Sequence, residues 1–177
     1  MPAKRRFLQN WNLDKTLSLM AFLISLGTFF LLYYQTRLSQ KQQYASVLPY
    51  LEIFNQNPRT EDYIFTLVNN GIGPAFIEKV EILYENKRFR MDPVNFIDSE
   101  IYPKDSVNFS YTNLPEGKLL APGKQLELLV VQDSEKDANV LRALFGRSKA
   151  ILEITYSSVY GEKWVVGSGN SPEKLDK

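Results

Sequence analysis

The first pattern along the chain is one long apolar segment near the N-terminus. Residues 16–36 contain no Asp, Glu, Lys or Arg, and their most apolar part, residues 17–34, is 18 residues long. At about 1.5 Å of rise per residue, a helix of that length reaches roughly 27 Å, close to the roughly 30 Å hydrocarbon core of a bilayer. A core helix of a soluble protein keeps a polar stripe, which this segment lacks. We therefore expect a single transmembrane helix over residues 16–36, with the lipid bilayer as its partner.

A cleaved signal peptide is the alternative to a permanent anchor. Its apolar region is usually about 7–15 residues long and ends at a small-x-small cleavage site. This segment is longer and continues into Tyr33-Tyr34-Gln35, so the sequence favours a signal anchor. Basic residues flank both sides unequally: Lys4, Arg5, Arg6 and Lys15 precede the segment, and Arg37 and Lys41 follow it. The excess predicts that residues 1–15 are a basic tail in the cytoplasm and that the rest lies outside the inner membrane, in the periplasm or the extracellular space.

Residues 37–48 predict a helical stalk that continues the membrane helix. They are rich in helix formers and contain no glycine or proline before Pro49, which disfavours helical geometry for Leu48. Within the span, Ala21 and Ser25 form a small-xxx-small pair that can let a second helix approach. An ordinary lipid-facing helix is the alternative interpretation of that pair.

After Pro49 the pattern changes to short segments that alternate between apolar and polar residues. Eight of them predict strands: 50–54, 62–68, 77–84, 88–91, 106–111, 124–131, 150–156 and 163–166. Turn residues separate them, as in an antiparallel sandwich. The predicted fold class is therefore mainly β: one N-terminal transmembrane helix, then an antiparallel, immunoglobulin-like β-sandwich over residues 49–167 with one short capping helix. Residues 168–177 are expected to be a disordered tail.

The capping helix is predicted to begin after Ser134. Ser134 is a suitable N-cap, Glu135 and Asp137 occupy the first turn, and Gly146 follows the last apolar residue. A second irregularity is the polar segment 92–105, which predicts a long loop. Loops of that length are often functional or mobile, and the sequence leaves open whether this one is functional.

Composition and charge exclude several classes of function. The 177 residues include no cysteine and no histidine, which rules out disulfide scaffolds, thiol nucleophiles and histidine general bases. The net charge is +1 for the whole chain, but 15 basic and 19 acidic residues follow position 44. A negative outer domain lacks the basic stripe that a nucleic-acid backbone requires. We therefore expect no nucleic-acid partner, no cofactor and no enzymatic activity.

Two polar stretches are candidates for ligand chemistry. Residues 69–75, with the sequence NNGIGPA, could be a phosphate loop, but no Lys-Ser/Thr follows and no helix is predicted after it, so a structural turn is favoured. Asp98, Glu100 and Asp105 could hold a hard cation, although nothing in the sequence fixes their geometry. A solvated acidic loop explains them better, and no metal site is predicted.

Aromatic residues cluster around the last predicted hairpin. Tyr156, Tyr160 and Trp164 lie within nine residues of one another, and at an exposed sheet end they would be anchors for a protein partner. Ordinary core and hairpin packing also explains them and is the favoured interpretation, so the three residues are only possible partner-binding residues.

Four stretches of the chain are distinctive: residues 43–52, the turn NNGIGPAFI at 69–77, the loop 121–124 and the hairpin ITYSSVYGEKW at 154–164. In these stretches the chain resembles a group of uncharacterised bacterial single-pass membrane-anchored proteins that carry an extracytoplasmic immunoglobulin-like β-sandwich. The resemblance implies a tethered sandwich in the bacterial envelope and transfers no activity or site. The resulting expectation is a membrane-anchored interaction module, as an accessory subunit of a membrane assembly. A ligand-binding sensor whose transmembrane helix self-associates is the alternative.

Overall fold

The computed structural model describes residues 4–57, 59–101, 107–147 and 149–175. It divides the chain into two compact units, Met1–Ala45 and Ser46–Lys177. The predicted residue Asp105 lies outside the described residues. The first unit is a helix and the second is a β domain, and each is described by itself.

The helix α1 runs from Lys4 to Ala45. Among the described residues, its part Leu13–Ala45 is the one helix long and apolar enough to cross a membrane, a property that membrane anchors and signal sequences share. Three hydroxyl groups of the helix find hydrogen-bond partners within it: those of Ser18, Thr28 and Thr36 each donate to the carbonyl oxygen four residues earlier, at 2.8 Å. Such bonds lower the cost of burying a hydroxyl group in lipid. The helix continues through 37–45 of the predicted stalk and ends before residues 46–48.

The β domain contains two antiparallel sheets. Ten strands are present in its described part: β1 Leu51–Gln56, β2 Tyr63–Asn69, β3 Ala75–Tyr84, β4 Lys87–Phe89, β5 Ser110–Tyr111, β6 Leu119–Leu120, β7 Gln125–Val131, β8 Ala150–Ser157, β9 Lys163–Gly167 and β10 Glu173–Leu175. The first sheet has the order β1-β2-β7-β5, and the second has the order β10-β9-β8-β3-β4, with β6 beside the start of β3. The expectation of a mainly antiparallel β domain behind one N-terminal apolar helix is confirmed.

One hydrophobic cluster takes buried side chains from both sheets. Phe65 and Leu67 of β2, Ile82 of β3 and Ile154 of β8 are fully buried members of it. The alternation of apolar positions along these strands therefore reports the core-facing side of each sheet. The register is irregular at two points, between Phe65 and Thr66 of β2 and between residues 77 and 79 of β3.

Two short helices complete the domain. The helix α3, Glu135–Leu141, continues as a π-helical turn over Arg142–Gly146, and Ser134 caps it as predicted. Its apolar residues Leu141, Leu144 and Phe145 are buried and belong to the core. The helix α2, Pro93–Phe96, continues as a π-helical turn over Ile97–Ile101.

Three details of the sequence prediction are wrong. The segment 92–101, predicted as a loop, is helical. Asp92 caps α2, and the apolar residues of the segment, such as Phe96, pack in the core. Residues 107–109 do not belong to a strand, although Ser110–Tyr111 do. The expected disordered tail contains β10, because the turn around Gly169, at a φ of +82°, returns the chain to the edge of β9.

Candidate functional site

Asn69 joins the ends of both sheets at one end of the β domain. Its side chain is fully buried, and its amide oxygen accepts hydrogen bonds from the backbone N–H groups of Tyr50 and Gly71 at 3.2 and 3.0 Å. Its amide nitrogen donates to the carbonyl oxygens of Gly73 and Leu120 at 2.8 and 3.0 Å. These four hydrogen bonds use both donors of the amide nitrogen and both lone pairs of the amide oxygen. The residue therefore fixes the segment that enters the domain, the turn after β2 and the strand β6.

The two glycines of this turn allow the backbone of the entering segment to pass close by. A Cβ atom on Gly71 would lie 2.4 Å from the carbonyl oxygen of Leu48, and one on Gly73 would lie 1.7 Å from that of Val47. Neither glycine has a positive φ angle, so close approach rather than left-handed geometry requires them. The favoured interpretation of residues 69–75 as a turn agrees with this geometry.

The same end of the domain carries most of its exposed large apolar side chains. We call it the apolar end and define it by Leu48, Tyr50, Ile72, Phe76, Leu119, Val159, Tyr160 and Leu175, which are between 37% and 66% exposed. Among the described residues of the β domain, one further large apolar side chain is exposed, that of Tyr111. Tyr111 is not part of the apolar end, since it pairs with Leu129 in the interior of β7. The clustering is therefore specific to one end.

Neighbouring contacts make parts of the apolar end continuous. Phe76 pairs directly with Leu119 across β3 and β6, and Ile72 donates its N–H to the carbonyl oxygen of Leu48 at 3.1 Å. Phe76 and Val159 line one open groove of about 610 Å³ together with Gly117 and the start of the turn after β8. Side chains of this size around an open groove can receive an apolar group from another molecule.

Two ion pairs lie beside the groove. Lys163 contacts Glu78, and this bond lowers the pKa of the Glu78 carboxyl below its usual range. Lys174 donates to Glu162 at 2.5 Å. These pairs are partly exposed, so they contribute little to stability and instead form a polar rim next to the apolar end.

The structure separates the three aromatic residues that the sequence grouped as partner anchors. Tyr156 is fully buried, and its hydroxyl oxygen accepts a long hydrogen bond of 3.4 Å from the N–H of Leu51. Trp164 is 7% exposed and stacks on Tyr156 with ring centroids 5.8 Å apart. Tyr160, at 46% exposed, is the member that faces solvent. Tyr156 and Trp164 therefore belong to the core packing that the sequence favoured.

The remaining predicted residues are not brought together. Ala21 and Ser25 lie one turn apart on the exposed surface of α1, and pairing of this helix stays a prediction. Asp98 and Glu100 lie on the turn Ile97–Ile101. In the described part of the chain, no group of three acidic residues is arranged to hold a metal ion.

Sequence reasoning missed most of the apolar end. Phe76 and Leu119 lie outside the predicted strands, and they become neighbours through a cross-strand pairing between segments 43 residues apart. A local signal existed for Ile72 alone, since it stands between two glycines in a turn. No protein-family model, curated protein or solved structure matches the chain.

Proposed function

We propose that this protein is a membrane-anchored interaction module, an accessory subunit whose β domain binds another protein of a membrane assembly through the apolar end. The observation that carries the proposal is the gathering of eight of the nine exposed large apolar side chains of the described domain at that end. Contiguous exposed apolar surface is uncommon on monomeric domains and marks interaction sites when it occurs.

The position of the apolar end along the chain suggests the kind of partner. Leu48 and Tyr50 belong both to this surface and to the segment through which the chain enters the domain from α1. Ten residues lie between Tyr34, at the end of the most apolar stretch, and Ala45, so the two are about 16 Å apart along the helix. A surface joined to the anchor by so short a connection favours a partner that is itself held in the membrane.

The finer description of the domain and its location belongs to the same proposal. Two antiparallel sheets that share one core support an immunoglobulin-like sandwich, and so does the resemblance noted above. The excess of basic residues before the apolar segment supports a cytoplasmic N-terminus, with the domain in the periplasm or outside the cell. The lack of histidine and cysteine, together with side chains that serve packing and capping, supports a role without catalysis.

Site-specific photo-cross-linking in the native membrane tests the proposal. A photoreactive amino acid is placed at Leu119 or Val159 of the full chain, and at Tyr111 as the matched control, since Tyr111 is equally exposed but lies away from the apolar end. We expect a cross-linked product with one second protein from the first two positions and none from the control. A product that contains two copies of this chain would support the self-associating sensor instead. Equal products from all three positions, or none, would overturn the proposal.

A further inference from the structure

The strand β10 covers the edge of β9 incompletely. It pairs antiparallel with it over three residues, with Glu173 opposite Val165 and Lys174 opposite Trp164. On its other side, β9 pairs with β8 along all five of its residues, Lys163–Gly167. Without β10, β9 would therefore be the open edge of the second sheet, a position that other chains readily extend.

The chain holds β10 in place weakly. All three of its residues are exposed, and Pro172, which has no N–H to donate, prevents the pairing from continuing toward Gly167. One side chain supplies the specific contacts: the ammonium group of Lys174 bonds Glu162 at 2.5 Å and lies 5.6 Å from the ring centroid of Trp164. Three ladder residues, an exposed ion pair and one cation–π contact give a gain similar in size to the entropy cost of ordering the segment.

We infer that the edge of β9 is a binding site for an extended segment of a partner protein, and that β10 is a displaceable strand that occupies this site in its absence. The inference rests on the proposed function, since it names a second way in which the domain engages its partner. Addition of a strand to a sheet edge supplies affinity through backbone hydrogen bonds and specificity through alternate side chains.

The contacts of β10 define the chemistry of the incoming segment. It carries a Lys or Arg opposite Trp164, where the indole face and the Glu162 carboxylate attract a cation. It has five or more strand-forming residues and no proline, so that it also pairs with Val166 and Gly167. A second copy of this chain does not meet these conditions, because its β10 would repeat the same three-residue pairing and lose the advantage of being tethered.

A disulfide lock tests the inference in the full chain. Because the chain has no cysteine, Val165→Cys and Glu173→Cys introduce one pair at directly opposite positions, where the Cα separation suits a disulfide. The probe is a fluorescent synthetic peptide that contains Thr-Val-Glu-Lys-Leu, which extends the β10 pattern across all of β9. The control peptide, Thr-Val-Glu-Glu-Leu, replaces the cation with an acid. Fluorescence anisotropy in detergent gives both affinities.

We expect the reduced protein to bind the probe at least tenfold more tightly than the oxidised, locked protein does. We also expect the reduced protein to bind the control peptide at least fivefold more weakly than it binds the probe. Removal of residues 171–177 should raise the affinity further, because the competing strand is gone. Equal binding by locked and reduced protein, or no binding by the reduced and truncated chains, would overturn the inference.

The double variant Leu119→Asp/Val159→Asp separates this inference from the proposed function. It should bind the probe as the unsubstituted chain does, because neither residue belongs to β9 or β10. If the chain binds the peptide but gives no cross-linked product at Leu119, only the proposed function is contradicted. If the chain gives the cross-linked product but does not bind the peptide, only the inference is contradicted.

Discussion

At the scale of single residues, Asn69 is the most consequential polar side chain of the domain. It is buried, and its side chain makes four hydrogen bonds to backbone groups. The side chain of its neighbour Asn70 is exposed and, among the described contacts, bonds only the carboxylate of Glu52. The two adjacent asparagines therefore provide a controlled comparison of a structural and a surface role. The apolar end exists in its observed form only while Asn69 holds the segments that build it.

We predict that Asn69→Ala lowers the free energy of unfolding by about 2–4 kcal/mol, since it leaves buried backbone donors and acceptors unpaired. Asn70→Ala, the control, should change it by less than about 0.5 kcal/mol. Urea unfolding followed by far-UV circular dichroism measures both. Similar values for the two variants would show that the Asn69 contacts do not carry this part of the fold.

Thr66 is a second residue whose environment conflicts with its chemistry. It is fully buried in β2, and its hydroxyl oxygen has no hydrogen-bond partner among the described residues. An unsatisfied buried hydroxyl group destabilises the folded state, and valine has nearly the same shape without that group. Thr66→Val should therefore raise the urea midpoint, by an amount that corresponds to about 1 kcal/mol. A lower midpoint would mean that the hydroxyl group has a partner in solution.

At the scale of elements, the short helices depend on their first turns. The hydroxyl oxygen of Ser134 accepts from the N–H of Asp137 at 3.4 Å and donates to its carboxylate at 2.9 Å, so the cap also satisfies a buried acid. Capping of this kind lets α3 keep its place although it is only seven residues long.

We predict that Ser134→Ala costs about 1 kcal/mol of stability through the loss of this cap. Lys136→Ala, an exposed substitution in the same turn, is the matched control and should be close to neutral, because alanine is the better helix former. Thermal unfolding of both variants decides the point. A neutral result for Ser134→Ala would indicate that tertiary packing alone holds α3.

At the scale of the whole molecule, buried tyrosines determine the response to high pH. Burial raises the pKa of Tyr156 to about 12 and raises the pKa of Tyr63 as well. Because the folded state binds these protons more tightly than the unfolded state, the stabilisation is complete below pH 10 and is lost as the pH rises toward 12. We expect the urea midpoint to be constant from pH 8 to 9.5 and to fall steeply above pH 10. Tyr156→Phe should reduce that slope, and an unchanged slope would contradict the assignment.

Much of the architecture could be predicted from the sequence because it is encoded locally. The apolar run of α1, the alternation in β2, β3 and β8, and the cap at Ser134 are short-range patterns, and each corresponds to an element. The three strands lie close to their predicted bounds, whereas α1 already begins at Lys4, before the apolar run. The helical nature of residues 93–101 was missed because the few apolar residues there, such as Phe96, are separated by polar ones that face outward.

The candidate site could not be predicted because non-local pairing creates it. The exposure of Leu119 depends on the pairing of β6 with β3. The exposure of Trp164 depends on the ring of Tyr156 that stacks on it and on the ammonium group of Lys174 that lies over its ring. The sequence identified the aromatic hairpin and favoured core packing for it, but could not tell which of its three aromatic side chains the fold leaves exposed. Placement at a sheet end, rather than residue type, decides which apolar side chains are available to a partner.

The most direct test of the central claim is the mass of the intact particle purified from the native membrane in mild detergent, by native mass spectrometry of the tagged full chain. We predict a stoichiometric second protein that is retained by Tyr111→Asp and lost in Leu119→Asp/Val159→Asp. A particle that contains this chain alone, or a second protein retained equally by both variants, would contradict the claim that the apolar end is the partner-binding surface.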